Sequence, residues 1–259
     1  MRKRTRDLVT DGDVRIDVIA EGAGPLVVLL PSSSRDSEDF DTVAAGIAAA
    51  GFRVLRPQPR GMLGSRGPLV GLTLHDLAGD VASVIAAERR GPAHLVGHAF
   101  GQWVARMLAA DHPGLVHSLV LAAAAAKQVP SGLREAFATA GDPARPEAER
   151  LAALRLAFFA PGHDPRPWLA GWHLAAGAAQ RAASAATPQA EWWSGGRAPI
   201  LDLQAVDDPW RPRATAEDLR RELGADRVTI AAIAGASHAL FPEQPDAVTA
   251  AIIEWLRRW

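Results

Sequence analysis

The sequence predicts an α/β protein: a mostly parallel central sheet with helices on both faces and a helical cap inserted in the core. Three observations predict it. Short apolar runs of strand length alternate with stretches of helical spacing in both flanking parts of the chain. Residues 26–30 are apolar without a break, the mark of a strand buried on both faces. Residues 127–191 interrupt the alternation with helical patterns and contain no strand candidate. Alternating strands and helices pair in parallel through right-handed crossovers.

Residues 14–20 alternate apolar and polar, and Glu21-Gly22-Ala23-Gly24-Pro25 then turns the chain into the strand at 26–30. Residues 37–50 have helical spacing at Phe40, Val43, Ile47 and Ala50, with Gly51 as the stop. The next strand is 52–55. Thr73 caps a helix with Asp76 in its first turn, and the helix runs to Arg90 before Gly91-Pro92 stops it. Residues 94–97 read as a strand, 100–111 as a helix and 117–121 as a strand. Helical patterns follow at 133–140, 147–159 and 167–186, punctuated by Pro143, Pro146, Pro161, Pro165 and Pro167. The alternation resumes with a strand at 200–206, a helix at 214–223, a strand at 228–232 and a helix at 246–259. The core is therefore expected from residues 1–126 and 192–259, with 127–191 as a cap. Such an insertion covers the carboxyl edge of the strands, where open α/β sheets bind ligands.

At 259 residues the chain can bury a large core in one domain. With 48% hydrophobic and 22% charged residues it has an ordinary globular composition. A net charge of −1 gives no electrostatic reason to expect nucleic acid or an anionic membrane as partner. No apolar stretch reaches membrane-spanning length. The basic start Met1-Arg2-Lys3-Arg4-Thr5-Arg6 is followed by no apolar region, so no secretory leader is expected and a cytoplasmic location is the default. The absence of Cys excludes disulfides, thiolate nucleophiles and thiolate metal ligands. His163 and His173 lack partners at metal spacing, so no metal site is expected. Gly22-Ala23-Gly24 does not open a helix after a strand, so no dinucleotide or phosphate cofactor is expected either. The partner implied is a small-molecule substrate, and a homodimer stays open.

The chemistry concentrates at three strand ends. Gly97-His98-Ala99-Phe100-Gly101 lies between a strand and a helix, the setting of a nucleophile elbow, whose usual form is G-x-S-x-G. Here Ala99 holds the central position and carries no nucleophilic atom. The second segment is Asp207-Asp208-Pro209-Trp210-Arg211-Pro212, and the third is Gly235-Ala236-Ser237-His238. A His can act as general base while an acid fixes its tautomer and stabilises the imidazolium. Elbow, acid, then His is the chain order of the α/β-hydrolase triad.

On these residues the chain resembles the α/β-hydrolase superfamily over nearly its whole length, and its helical insertion resembles that of the lidded members. The stretch from Asp207 to Pro212 is similar to the family's acid loop, which implies Asp208 rather than Asp207 as the acid. Gly235 to His238, followed by Glu243-Gln244-Pro245, resembles the histidine loop and the helix start behind it. Pro59-Arg60-Gly61 through Ser65 resembles the loop after the fourth strand. The resemblance implies His238 as base, Asp208 as its orienter and Ala99 at the nucleophile position.

The chain departs from the pattern at three places. Where the family has His-Gly after the third strand, this chain has Pro31-Ser32 and then Ser33-Ser34. The oxyanion donors implied by position are the N–H groups of Phe100 and of Ser33 or Ser32. Gln58 stands where an acidic residue is common, and the serine is missing. His98 is expected as a structural elbow residue lining the pocket floor, and so as a candidate substrate contact. Trp168, Trp172 and Trp210 are candidate substrate contacts, and the aromatic area of the insertion suits either helix packing or a small apolar or aromatic ester, lactone or ketone. Three explanations of Ala99 follow: a native serine-free enzyme, a Ser→Ala change made by design, or a ligand binder without turnover. The correlated departures at Pro31-Ser32 and Gln58 favour the first.

Overall fold

The structure, a computed structural model, describes residues 4–259; Met1, Arg2 and Lys3 of the basic start lie outside the described residues. The strands are β1 (Thr5–Asp11), β2 (Val14–Gly22), β3 (Leu26–Leu30), β4 (Arg53–Pro57), β5 (Ala93–His98), β6 (Val116–Ala122), β7 (Ile200–Ala205) and β8 (Val228–Ile233). They form one 8-stranded sheet in the order β1-β2-β4-β3-β5-β6-β7-β8. β1 pairs antiparallel with β2, and β2 antiparallel with β4. Every other neighbouring pair is parallel. The mostly parallel sheet expected from the alternation is thus present.

The helices are α1 (Asp41–Ala49), α2 (Leu74–Glu88), α3 (Phe100–Asp111), α4 (Leu133–Gly141), α5 (Glu147–Ala157), α6 (Leu174–Ala186), α7 (Gln189–Trp192), α8 (Asp218–Leu223), α9 (Leu240–Glu243) and α10 (Pro245–Leu256). Alternate side chains of the central strands serve opposite faces of the sheet. Val28 and Leu30 join Leu77 and Val81 of α2 and Val104 and Leu108 of α3 in one apolar cluster. Val27 and Leu29 join Val43 and Ile47 of α1 and Val248 and Ile252 of α10 in another. This two-sided burial is why β3 reads as a continuous apolar run. A third cluster, with Leu133, Leu154, Phe158 and Trp168, lies among the helices between β6 and β7 and reaches Ala239.

Three differences from the sequence expectation have physical reasons. β1 carries no apolar period because almost all of it is exposed on the sheet edge. Its only signal is the tight turn into β2, where Gly12 takes φ 56. The helix expected over 167–186 is broken into a 3-10 turn at Arg166–Leu169 and α6, because Gly171 adopts φ 77 between them. The helix expected over 214–223 is likewise a 3-10 turn at Arg213–Thr215 followed by α8. Thr73 and Asp76 form the full capping box at the start of α2, each side chain bonding the other's backbone. No helix among the described residues is long and apolar enough to cross a membrane.

Candidate active site

The turn from β5 into α3 is built by close packing. Ala99 adopts φ 48 and ψ −108 as the cap residue of α3, and its N–H donates to the Ala122 carbonyl at 2.9 Å. Positive φ in a residue with a side chain costs about 1–3 kcal/mol and persists only where the surroundings impose it. The flanking glycines show what imposes it. A Cβ on Gly97 would lie 2.4 Å from the Gln102 backbone, and one on Gly101 would lie 2.1 Å from the Leu30 carbonyl oxygen. Both positions therefore need glycine for space. Phe100 is the first residue of α3, so its N–H has no acceptor within the helix and stands at the positive end of the helix dipole.

The acid and histidine loops meet beside this turn. The Asp208 carboxylate accepts from His238 Nδ1 at 3.0 and 3.2 Å, and the two residues are only 4% and 5% exposed. Asp207 is exposed to solvent, so the structure joins His238 to Asp208 and not to its neighbour. With Nδ1–H committed to the carboxylate, Nε2 is the nitrogen left to accept a proton. The acid loop is held from behind by Arg211, which donates to Asp202 at 2.9 Å and to the Ala124 carbonyl at 3.0 Å. Trp210 donates its backbone N–H to Asp208 at 2.9 Å. The histidine loop is held by Glu243, whose carboxylate accepts from Ser237 N–H at 2.7 Å and Ala160 N–H at 2.6 Å. Burial pushes the Glu243 carboxyl above its ordinary range, against the pull of these two backbone donors.

His98 differs from the expectation that it lines a pocket floor. It is 1% exposed, with its ring between Phe40, Phe241 and His238. Its Nε2–H donates to the His238 carbonyl at 2.7 Å, which ties the end of β5 to the histidine loop through the backbone. Burial, aided by repulsion from His238, lowers its pKa to about 3, against the hydrogen bond to the carbonyl, so it is a neutral structural donor near pH 7.

The loop after β3 is fastened to α6. Ser34 takes φ 62 and is buried. Its N–H donates to Gln180 Oε1 at 2.9 Å, and its carbonyl accepts from His173 N–H at 2.9 Å. The Ser33 hydroxyl donates to the same Gln180 oxygen at 3.1 Å. The N–H groups of Ser32 and Ser33 donate to no protein acceptor among the described residues. His173 also hydrogen-bonds Asp36 at 3.0 Å. Burial tends to raise the Asp36 carboxyl, but the His173 hydrogen bond and the Glu38 backbone bring it below its ordinary value.

The aromatic residues fall into two layers. Trp210 and Phe158 have ring centroids 5.2 and 5.8 Å from His238. Trp168 and Trp172 pack behind them, 5.5 and 5.9 Å from Phe158, under the Arg35 guanidinium. Of the expected aromatic contacts only Trp210 touches the His238 ring; Phe158, part of the insertion's aromatic area, lies beside it as well.

A sequence model of the alpha/beta hydrolase family matches residues 27–251. The chain belongs to the α/β hydrolase family. This α/β hydrolase is 31% identical over 109 residues to 2-(acetamidomethylene)succinate hydrolase of Mesorhizobium japonicum, an alignment covering 42% of this chain and 39% of that protein. The match thus spans well under half of that relative. A solved structure of E-2-(acetamidomethylene)succinate hydrolase superposes with a TM-score of 0.76 at 19% identity, covering 98% of this chain and 100% of the other. The esterase EaEST from Exiguobacterium antarcticum superposes with a TM-score of 0.79 at 22% identity, covering 96% of this chain and 98% of the other. These likenesses establish the shared fold.

Among the described residues, no group of three or more His, Asp or Glu side chains is arranged to hold a metal. Sequence reasoning passed over Gln180, Arg211 and Glu243 as fasteners of the three site loops. Arg211 and Glu243 had a signal, their places in the stretches that resemble the acid loop and the helix start behind the histidine loop; Gln180 had none.

Proposed function

We propose that this α/β hydrolase acts as a serine-free hydrolase in which His238, oriented by Asp208, is the general base. The observation that carries this reading is the buried His238–Asp208 pair at 3.0 Å, kept beside an elbow whose Ala99 still holds φ 48. A binder without turnover would have no use for either the pair or the strain. His238 Nε2 takes a proton from water in the room a serine hydroxyl would fill. The resulting hydroxide adds to the substrate carbonyl carbon. The N–H groups of Phe100 and of Ser33 or Ser32 face the developing oxyanion. Collapse of the adduct breaks the bond to the leaving group, and the imidazolium returns its proton to that group. The Trp210 and Phe158 rings beside His238 suit a small apolar or aromatic ester, lactone or ketone, with residues 127–191 as the cap over it. The relative named for hydrolysing 2-(acetamidomethylene)succinate supports hydrolysis as the reaction class.

The test is turnover of aryl esters, aryl lactones and β-diketones by the unaltered protein, His238→Ala, Asp208→Asn and Ala99→Ser. Loss of a positioned general base lowers kcat by about 100-fold or more. The reading expects turnover by the unaltered protein and that loss in His238→Ala. It is overturned if the unaltered protein turns over nothing that it binds while Ala99→Ser creates activity.

A further inference from the structure

Beside the elbow, on the side of α2 and α3, lies a cavity of about 40 Å³. Its walls are Ile16 of β2, Leu77 and Val81 of α2, Phe100 and Val104 of α3, and Pro31 after β3. Pro31 directly precedes Ser32, and Phe100 supplies the elbow's own donor, so the cavity borders both halves of the proposed oxyanion site. The packing leaves this space unfilled. Leu77, Val81, Phe100 and Val104 stay 7%, 5%, 9% and 7% exposed, whereas Ala78 and Ala105 beside them are fully buried.

The polar residues around the space are engaged elsewhere. Gln58 is completely buried, and its amide oxygen accepts from Ser37 N–H at 2.9 Å. The Gln180 amide oxygen accepts from Ser34 N–H at 2.9 Å. Arg60 and Asp80 bond each other at 2.6 and 3.0 Å. Water gains no partners in an apolar void, so such a void stays dry and takes an apolar group instead. This one holds about three water-sized groups, enough for an alkyl arm of about two or three carbons and too little for a phenyl ring. The Phe100 wall is braced from behind, its ring 5.6 Å from Trp103, which stacks at 5.1 Å on Trp192.

We infer that this cavity is the subsite for a short saturated alkyl arm on the acyl carbon of the substrate. The inference rests on the reading of the elbow as the reaction centre. An oxygen held by the N–H groups of Phe100 and of Ser33 or Ser32 lies about 3 Å from each donor. A chain on the same carbon starts two bonds from that oxygen, next to Pro31 and Phe100. The leaving group must meet the proton on His238, where the Trp210 and Phe158 rings stand. The two ends of the substrate are thereby told apart, with alkyl on the acyl side and aryl on the leaving-group side. This narrows the substrate class to aryl esters of short saturated acids. It also makes Val81 and Val104 specificity-determining residues, because they set the size of the cavity.

Occupancy is read without turnover, from crystals pressurised with xenon. Xenon is expected in the cavity of the unaltered protein and absent from Val81→Leu/Val104→Leu, whose added carbons fill the space. Turnover reads the specificity with 4-nitrophenyl acetate, propionate, butyrate and benzoate. In the unaltered protein kcat/KM should rise about fourfold per methylene up to butyrate and fall at benzoate. In the filled variant acetate should become the best substrate, and melting curves check that this variant folds. The inference is overturned if xenon does not enter the cavity, if benzoate turns over as well as butyrate, or if the filled variant keeps the ranking of the unaltered protein. Xenon in the cavity of a protein that turns over nothing would leave an apolar site standing and remove the catalytic reading. His238-dependent turnover that is indifferent to acyl length would remove the subsite alone.

Discussion

Replacing Ala99 by glycine should stabilise the protein relative to an ordinary Ala→Gly change, because Ala99 sits at φ 48 and ψ −108. The opposing effects can be weighed. Releasing a non-glycine residue from positive φ gains about 1–2 kcal/mol. Glycine enlarges the unfolded ensemble, which costs about 0.4–1 kcal/mol. The lost methyl is half-buried, so about half of the roughly 0.8 kcal/mol of a buried methylene is forfeited. The sum lies between about −0.5 and +1 kcal/mol. Ala182, exposed inside α6, is the control, and its change to glycine should lose about 1 kcal/mol. A chain of this size shifts its Tm by about 2–4 °C per kcal/mol. Calorimetry should therefore place the Tm of Ala99→Gly several degrees above that of Ala182→Gly. Equal falls in the two variants would refute the claim that the elbow stores strain, and with it the argument that the strain is kept for function.

Three further outcomes follow from the same geometry. Gly101→Ala places a Cβ 2.1 Å from the Leu30 carbonyl, a backbone atom that cannot swing aside, so urea unfolding should show a loss of at least about 2 kcal/mol. Burial holds His98 and His94 neutral, with pKa values down to about 3 and about 4 against an ordinary 6.5. Their folded values are depressed, so their contribution is present above pH 6.5 and lost as pH falls toward the folded values. Each His should remove about 2 kcal/mol between roughly pH 7 and pH 5, and His98→Gln should flatten that slope in urea titrations. Asp208→Asn should lower kcat steeply while Asp207→Asn should leave it unchanged, because only Asp208 is buried against His238.

The sheet was legible because buried parallel strands leave continuous apolar runs, as at β3, and because Gly97 and Gly101 mark a turn where no Cβ fits. The choice of Asp208 over Asp207 was legible only through the resemblance, since both stand in the same turn; burial is what separates them. His98 was misplaced because a residue next to an elbow faces either the ligand or the core, and adjacency alone does not choose. Its ring turns inward because the His238 carbonyl needs a donor there. β1 left no pattern because an exposed edge strand buries no face.

The loop after β3 shows why motif departures need the whole structure to interpret. The family pattern places a glycine there, and this chain has only Pro31 and three serines. The need for glycine has moved to the element packed on top. Gly177 stands inside α6, where glycine costs about 1 kcal/mol relative to alanine. A Cβ at Gly177 would lie 1.8 Å from Ser34 Oγ, so the helix can lie on the loop only without one. That close approach lets Gln180 and His173 hydrogen-bond both the N–H and the carbonyl of Ser34. Each such bond contributes about 0.5–1.5 kcal/mol, enough together to offset the left-handed strain at Ser34. The loop that would carry one oxyanion donor is thus shaped by α6, whose Gln180 lies 146 residues further along the chain than Ser34. Residues near the loop in sequence could not announce that arrangement. A rigid loop fixed by α6 is also what a water-activating base requires, because the oxyanion donors must already be in place when the hydroxide forms.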